Sequence, residues 1–183
     1  MVDAHNRPDE TLRGYMVEPG GSINGGIELR TKAISLAKAT AQSTGGAMSV
    51  FEIGVRRGRP PHVHQHQDEG LYVISGRLGI RIGEDAFDAP AGSFLFLPKQ
   101  ISHRFWAEED DTRILLFTTP GGVEIFEGAH LAAETPEERA AISETHGISF
   151  VLDAEERALP REALVERCRL YGISLPEGLD DAP

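Results

Sequence analysis

From about Gly45 to Thr119 the chain is a succession of short β-prone runs cut by glycine and proline, with no helical period between them. Met48 to Val55 is β-rich, and Leu71-Tyr72-Val73-Ile74 is an apolar run stopped by Ser75-Gly76. Leu78, Ile80 and Ile82 then alternate with Gly79, Arg81 and Gly83. That two-residue period belongs to a strand with one buried face. A hairpin turning at Ser75-Gly76 is the simplest account of the two runs. Phe94 to Leu97, ended by Pro98, then His103 to Trp106 and Thr112 to Thr118 supply further strands. Many short strands without interleaved helices predict an all-β fold, an antiparallel sandwich or barrel.

The periodicity changes at Pro120-Gly121-Gly122. Val123, Ile125, Phe126, Ala129 and His130 fit one helical stripe. Thr135-Pro136-Glu137-Glu138 opens a second helix with an N-cap, a proline at the first position and a capping-box glutamate, and Gly147 is a natural stop for it. A last helix is predicted from near Pro160 to Gly172 with Leu164, Cys168 and Tyr171 on one side. These helices are too short to stand alone and should pack on the barrel or on a second subunit. The expected organisation is an N-terminal arm over 1–30, a barrel core over 31–120, C-terminal helices over 121–175 and a flexible tail over 176–183.

In 183 residues, 18 Lys and Arg face 29 Asp and Glu, a net charge of −11, and the only basic cluster is Arg56-Arg57-Gly58-Arg59. Nucleic acid is therefore not expected as a partner, because phosphate binding draws on concentrated positive charge. No run of about 18 apolar residues suggests a membrane span, and the first residues have no signal-peptide core, so a cytoplasmic location is the expectation. Cys168 is the single cysteine and sits in a helical pattern, which favours a buried apolar role over a thiolate ligand or nucleophile.

His62-Val63-His64 places two imidazoles two residues apart. On a strand they share a face and lie within about 7 Å along the chain, an arrangement suited to a divalent transition metal. His66 has the same parity and could compete. Glu69 follows in Gln67-Asp68-Glu69-Gly70, and His103 comes just after Pro98-Lys99-Gln100-Ile101-Ser102.

The stretch from Gly58 through His62, His64 and Glu69 to Gly76 resembles the first conserved motif of the cupin family, and Gly92 through Pro98 to His103 resembles the second. The second motif departs from the pattern at Gln100, where a glycine is usual, and at Ala107, where an asparagine is usual. The Thr119 to Phe126 junction, the Thr135-Pro136-Glu137-Glu138 helix start and the Arg169 to Ile173 ending resemble single-barrel bacterial cupins grouped with quercetin 2,3-dioxygenase. The resemblance implies a cupin jelly-roll barrel, an antiparallel double sheet with a short C-terminal helical extension. It implies one divalent transition metal per chain (iron, nickel, manganese, cobalt, copper or zinc) held by His62, His64, Glu69 and His103, with Asp68 outward, His66 exposed or beside the ligands, and a homodimer. The remaining histidines, His5, His130 and His146, are expected at the surface.

The activity this points to is a metal-dependent dioxygenase cleaving a flavonol-like or other enolisable small molecule. Glu69 is the first candidate for the base that takes the substrate's proton. Dioxygen and the small molecule are the expected partners. A redox-neutral cyclase or isomerase, and a non-catalytic small-molecule-binding cupin, are the alternatives. Phe105 shares parity with His103 and should face the metal while Arg104 and Trp106 face away; Phe51, Phe94, Phe96 and Phe117 are further candidates for the pocket wall.

Overall fold

The computed structural model describes residues 12–23, 25–28, 33–56 and 58–176. Residues 1–11 with His5, 24, 29 and 30 of the expected arm, 31 and 32 of the expected barrel core, Arg57 and the tail beyond 176 lie outside them. In chain order the elements are β1 (Gly26–Glu28), β2 (Ile34–Ala39), α1 (Ala41–Thr44), β3 (Ser49–Gly54), β4 (His62–His64), β5 (Asp68–Ser75), β6 (Arg77–Ile82), β7 (Asp85–Pro90), β8 (Phe94–Leu97), β9 (His103–Ala107) and β10 (Arg113–Thr119), then α2 (Val123–Ala132), α3 (Pro136–His146), β11 (Ile148–Phe150), α4 (Ala154–Arg157) and α5 (Arg161–Tyr171). One sheet has the order β1-β2-β3-β10-β5-β8 and the other β11-β4-β9-β6-β7, with every pairing antiparallel. This is the expected all-β double-sheet jelly roll with a helical extension. No helix among the described residues is long and apolar enough to cross a membrane.

Strand parity builds the interior. In β5, Glu69, Leu71 and Val73 face inward while Tyr72 and Ile74 are exposed; in β10, Ile114, Leu116 and Thr118 face inward. Leu71, Val73, Leu78, Ile80 and Ile114 are fully buried, each contributing about 1.5–3 kcal/mol of apolar transfer. The outer face of the first sheet stays apolar, with Tyr72, Phe94 and Phe96 exposed and Phe117 stacked on Phe94 at 5.8 Å between ring centroids.

The expected hairpin at Ser75-Gly76 does not form. β5 pairs with β10 and β8, whereas β6 pairs with β7 and β9, so the chain changes sheet at Gly76. The corner is held by Thr112, whose hydroxyl donates to the Arg77 carbonyl at 2.9 Å and accepts the Arg77 amide at 3.2 Å. A Cβ on Gly76 would come within 2.6 Å of that hydroxyl, and the residue has φ +70°, so glycine is required there. The alternation rule shows which side of a strand is buried, but it is silent about which strand lies alongside.

The extension is more than helices. α3 starts and stops as expected, with the Thr135 and Glu138 capping box and Gly147 left-handed after the last turn. Between α3 and α4, however, Ile148–Phe150 forms a strand that pairs with all of β4, placing Ile148 opposite His64 and Phe150 opposite His62. β4 meets β9 only through His62 and His103, so β11 is its main lateral support. Ile125 departs from the expected stripe and is exposed, while Val123, Phe126 and His130 form the buried face of α2. His130 is therefore not a surface group. Only 3% exposed, it packs between Phe126, Phe150 and Tyr171, and His146 is half-buried against Phe126. Cys168 is buried on α5, and burial pushes its thiol up, consistent with an apolar role.

Gln100, standing where the motif has glycine, adopts φ +66° in the loop between β8 and β9 and donates its amide to the His64 carbonyl at 2.7 Å. The backbone keeps the bend although the side chain disfavours it. Gln100→Gly should relieve about 1–2 kcal/mol of left-handed strain, offset by about 0.4–1 kcal/mol of added freedom in the unfolded chain. The urea midpoint should rise modestly for this variant and fall for Gln100→Val. A midpoint unchanged or lowered by glycine would contradict the strain argument.

Candidate metal centre

Three strands aim four side chains at one point. His62 and His64 come from the same face of β4, Glu69 from the inward face of β5 and His103 from the start of β9. One ligand atom from each lies within 4.8 Å of every other, and the residues are 2–4% exposed. Asp68 turns outward and accepts the Lys99 amide at 2.8 Å. His66 is exposed and stands against the backbone of Gly147, outside the cluster.

The hydrogen bonds around the rings set the tautomers. His62 Nδ1 lies 3.2 Å from the Pro60 carbonyl, His103 Nδ1 3.1 Å from the Ile101 carbonyl and His64 Nδ1 3.3 Å from the Gln67 amide oxygen. Each partner is an acceptor, so each Nδ1 carries the proton and each Nε2 presents a lone pair to the centre. His103 Nε2 and Glu69 Oε2 stand 2.9 Å apart, both buried and neither in a hydrogen bond. With His64 Nε2 3.6 Å from Glu69 Oε1 as well, the four groups are placed so that one cation could be shared among them. Three neutral imidazoles and one carboxylate fit a single divalent ion, with softness and geometry that admit iron, nickel, manganese, cobalt, copper or zinc.

Although burial pushes the Glu69 carboxyl up, the nearby His64, His103 and His62 together hold it far below the usual carboxylate range. Burial, and then the neighbouring His103 and His64, hold His62 well below its ordinary value, which keeps it neutral.

The cluster forms one wall of a cavity of about 830 Å³, open solvent at its mouth included. Phe51, Phe105, Ile53, Leu116, Phe126 and Ile148 supply an apolar part of the remaining lining. Phe105 shares the His103 side of β9, while Arg104 lies over the Trp106 ring at 5.1 Å on the other side. Phe94, Phe96 and Phe117 are not at this cavity, Phe94 and Phe96 being exposed on the outer face. The position of Phe117 in β10 has the opposite parity to Leu116, which turns it to the outer face against Phe94.

Three features were missed in the sequence. Phe150 of β11 packs on the His62 ring at 5.6 Å and Ile148 lines the cavity. Arg59 and Glu127, an ion pair from residues 68 apart, also line it. Arg59 could be noticed only as part of a basic cluster, and nothing in the local pattern of α2 marks Glu127.

For the metal-free protein the pH dependence follows from His62 and Glu69. The unfolded chain binds a proton at His62 below about 6.5, where the folded chain does not. Stability from this site is therefore complete above that pH and falls as pH drops, by up to about 1.4 kcal/mol per pH unit for one proton. Glu69, also depressed, adds a second loss below its unfolded value of 4.5. Melting temperature measured from pH 8 to 4 should be flat, then decline below about 6.5. A metal-free protein that gains stability on acidification would contradict this assignment.

Comparisons with known proteins agree with the geometry. A family model described as Cupin domain matches residues 49–119, the segment from β3 to β10. An uncharacterized protein of Streptomyces coelicolor is 30% identical over 70 residues, covering 38% of this chain and 64% of that protein. Quercetin 2,3-dioxygenase of Bacillus subtilis is 24% identical over 121 residues, covering 65% and 35%. The polyketide synthase protein CurC of Streptomyces cyaneus is 28% identical over 101 residues, covering 55% and 62%. The chain thus spans 35% to 64% of the lengths of these relatives. Among solved structures, KdgF from Halomonas sp. is similar with a TM-score of 0.50 at 16% identity, covering 55% of this chain and 92% of that one. A Streptomyces nucleoside dehydratase is similar with a TM-score of 0.50 at 15% identity, covering 62% and 88%, a likeness of fold. The family model spans the segment that supplies all four converging side chains, and over residues 49–119 this chain is similar to cupin domains.

Proposed function

We propose that this chain is a metal-dependent cupin enzyme that cleaves a small enolisable organic molecule with dioxygen. The observation that carries the reading is a buried three-histidine, one-carboxylate cluster at the wall of a largely apolar cavity. A divalent ion, when bound, supplies Lewis acidity and, for a redox-active metal, access to oxygen chemistry. His62, His64, Glu69 and His103 would hold it, with the Nδ1 hydrogen bonds to Pro60, Gln67 and Ile101 keeping the rings aimed. Phe51 and Phe105 give an aromatic or enolic substrate a dry surface that excludes water from the reacting atoms. Glu69 enters the reaction ionised, the form a base needs. Its low proton affinity suits it better to ligation and brief proton transfer than to storing a proton.

The similarity to quercetin 2,3-dioxygenase supports the oxygen-dependent reading. The charged Arg59 and Glu127 pair in the cavity wall favours a second one, a redox-neutral rearrangement of a polar substrate. Metal analysis of the purified protein, followed by oxygen-electrode measurements with each divalent metal and a panel of flavonols and β-diketones, tests both. Oxygen uptake matched to substrate loss is expected. Substrate loss without uptake would favour the rearrangement, and a bound but unchanged ligand a binding protein.

A homodimer is part of the same proposal. The exposed face around Phe94 and Phe96 is the surface it would cover, so light scattering should give twice the chain mass and Phe96→Glu should give the monomer.

A further inference from the structure

Two carboxylates of α2 line the cavity, and they are engaged differently. Glu124 is fully occupied. It accepts the Ala41 amide at 2.7 Å and the Ser49 hydroxyl at 2.6 Å, which pins the start of α2 to β3. Glu127, one turn on, accepts a single contact from the Arg59 guanidinium. The side chains of Arg59 and Glu127 are 21% and 17% exposed. An ion pair so far out of water has a desolvation cost that its attraction barely offsets, and apolar side chains of similar volume commonly serve stability as well or better. Beside the apolar Phe51, Phe126, Leu116 and Ile148 of the same wall, stability does not account for it.

Arg59 is also held in place. Arg167 of α5 donates to the Gly58 carbonyl at 3.3 Å. On the other side, Gly58 lies so close to the Phe105 carbonyl that an added Cβ would come within 2.6 Å of it. Pro60-Pro61 then leads directly to His62, and the Arg59 charge is felt at both His62 and Glu69. A guanidinium has five N–H donors in a rigid fork. Glu127 takes one of them and orients the fork, leaving others for an acceptor that enters the cavity.

We propose that Arg59, oriented by Glu127, is the second anchor of the substrate site, and that the substrate is a small aromatic or enolic acid whose carboxylate meets Arg59 while its hydroxyl end meets the His62, His64, Glu69 and His103 cluster. The inference rests on reading the cavity as a substrate site, and it narrows that reading from enolisable molecules in general to anionic ones. Charge matching supports it. A divalent ion with Glu69 leaves one positive charge at the cage, and the Arg59 and Glu127 pair is neutral, so the cavity admits a monoanion without a second compensating group.

The test uses zinc-loaded protein, which binds without redox turnover. Calorimetry compares 3,4-dihydroxybenzoate and 3,4-dihydroxyphenylacetate with their methyl esters, the catechol end being common to all four. At least one acid should bind about tenfold more tightly than its ester. In the double variant Arg59→Met with Glu127→Met the two should bind alike, with ester affinity unchanged and the melting temperature no lower than the parent's. Arg59→Lys should keep part of the preference, and Arg56→Met, at the exposed mouth, all of it. Equal affinity for acid and ester in the parent would overturn the proposal, as would a preference that survives in the double variant or follows Arg56. A double variant that melts well below the parent would mark the pair as structural and overturn it as well. Failure of oxygen uptake leaves this result untouched, whereas loss of ester binding together with absence of zinc uptake would defeat the underlying reading of the site.

Discussion

Four polar side chains share one small volume beside the apolar core of the barrel, and the surrounding architecture answers that fact. Burying three imidazoles and an ionised carboxylate is costly unless each finds a partner. Here the partners are divided in two. Backbone and amide oxygens take the Nδ1 protons, which leaves three Nε2 lone pairs and a carboxylate oxygen directed at one another. A positive charge at their centre would turn that mutual repulsion into attraction. Strand parity explains how the donors converge: His62 and His64 alternate with an outward Val63, Glu69 runs in phase with buried Leu71 and Val73, and His103 is in phase with Phe105.

The supports of this centre lie well outside it. β4 is only three residues long and touches β9 at a single pair, so its position depends on β11, delivered by the segment after the barrel. Phe150 then continues the packing from His62 into a cluster of Phe126, His130 and Tyr171 that joins α2, β11 and α5. α4 is tied to the back of the same sheet by Arg104, which reaches Asp153, Glu155 and Glu156, with Arg167 of α5 on Glu156 from the other side. The helical extension is thus a brace for the wall that carries two of the ligands.

Much of this was legible in the residues because it depends on short-range rules. Alternation in Leu78, Ile80 and Ile82 identified a strand, Thr135 to Glu138 identified a helix start, and the resemblance to the two cupin motifs implied a cluster of His62, His64, Glu69 and His103. What escaped depends on long-range placement. The corner at Gly76 is decided by Thr112 on another strand, and the partner of β4 comes from beyond α3. Arg59 meets Glu127 across the cavity, and His130 is buried by helices that no local pattern orients. Phe117 shows the same limit in miniature: its neighbours marked a strand, but only the register of β10 against β5 turned it outward over Gly70.

The dependence of β4 on β11 also orders events during synthesis. A chain made from its N-terminus presents every donor of the cage before Ile148–Phe150 exists to seat two of them. Until that strand emerges, the imidazoles of β4 lack their lateral support and an ion would find loose, competing coordination. A metal ion would therefore be held durably only once the segment carrying Ile148–Phe150 has docked, and a ribosome-bound intermediate would hold the donors without yet holding the ion.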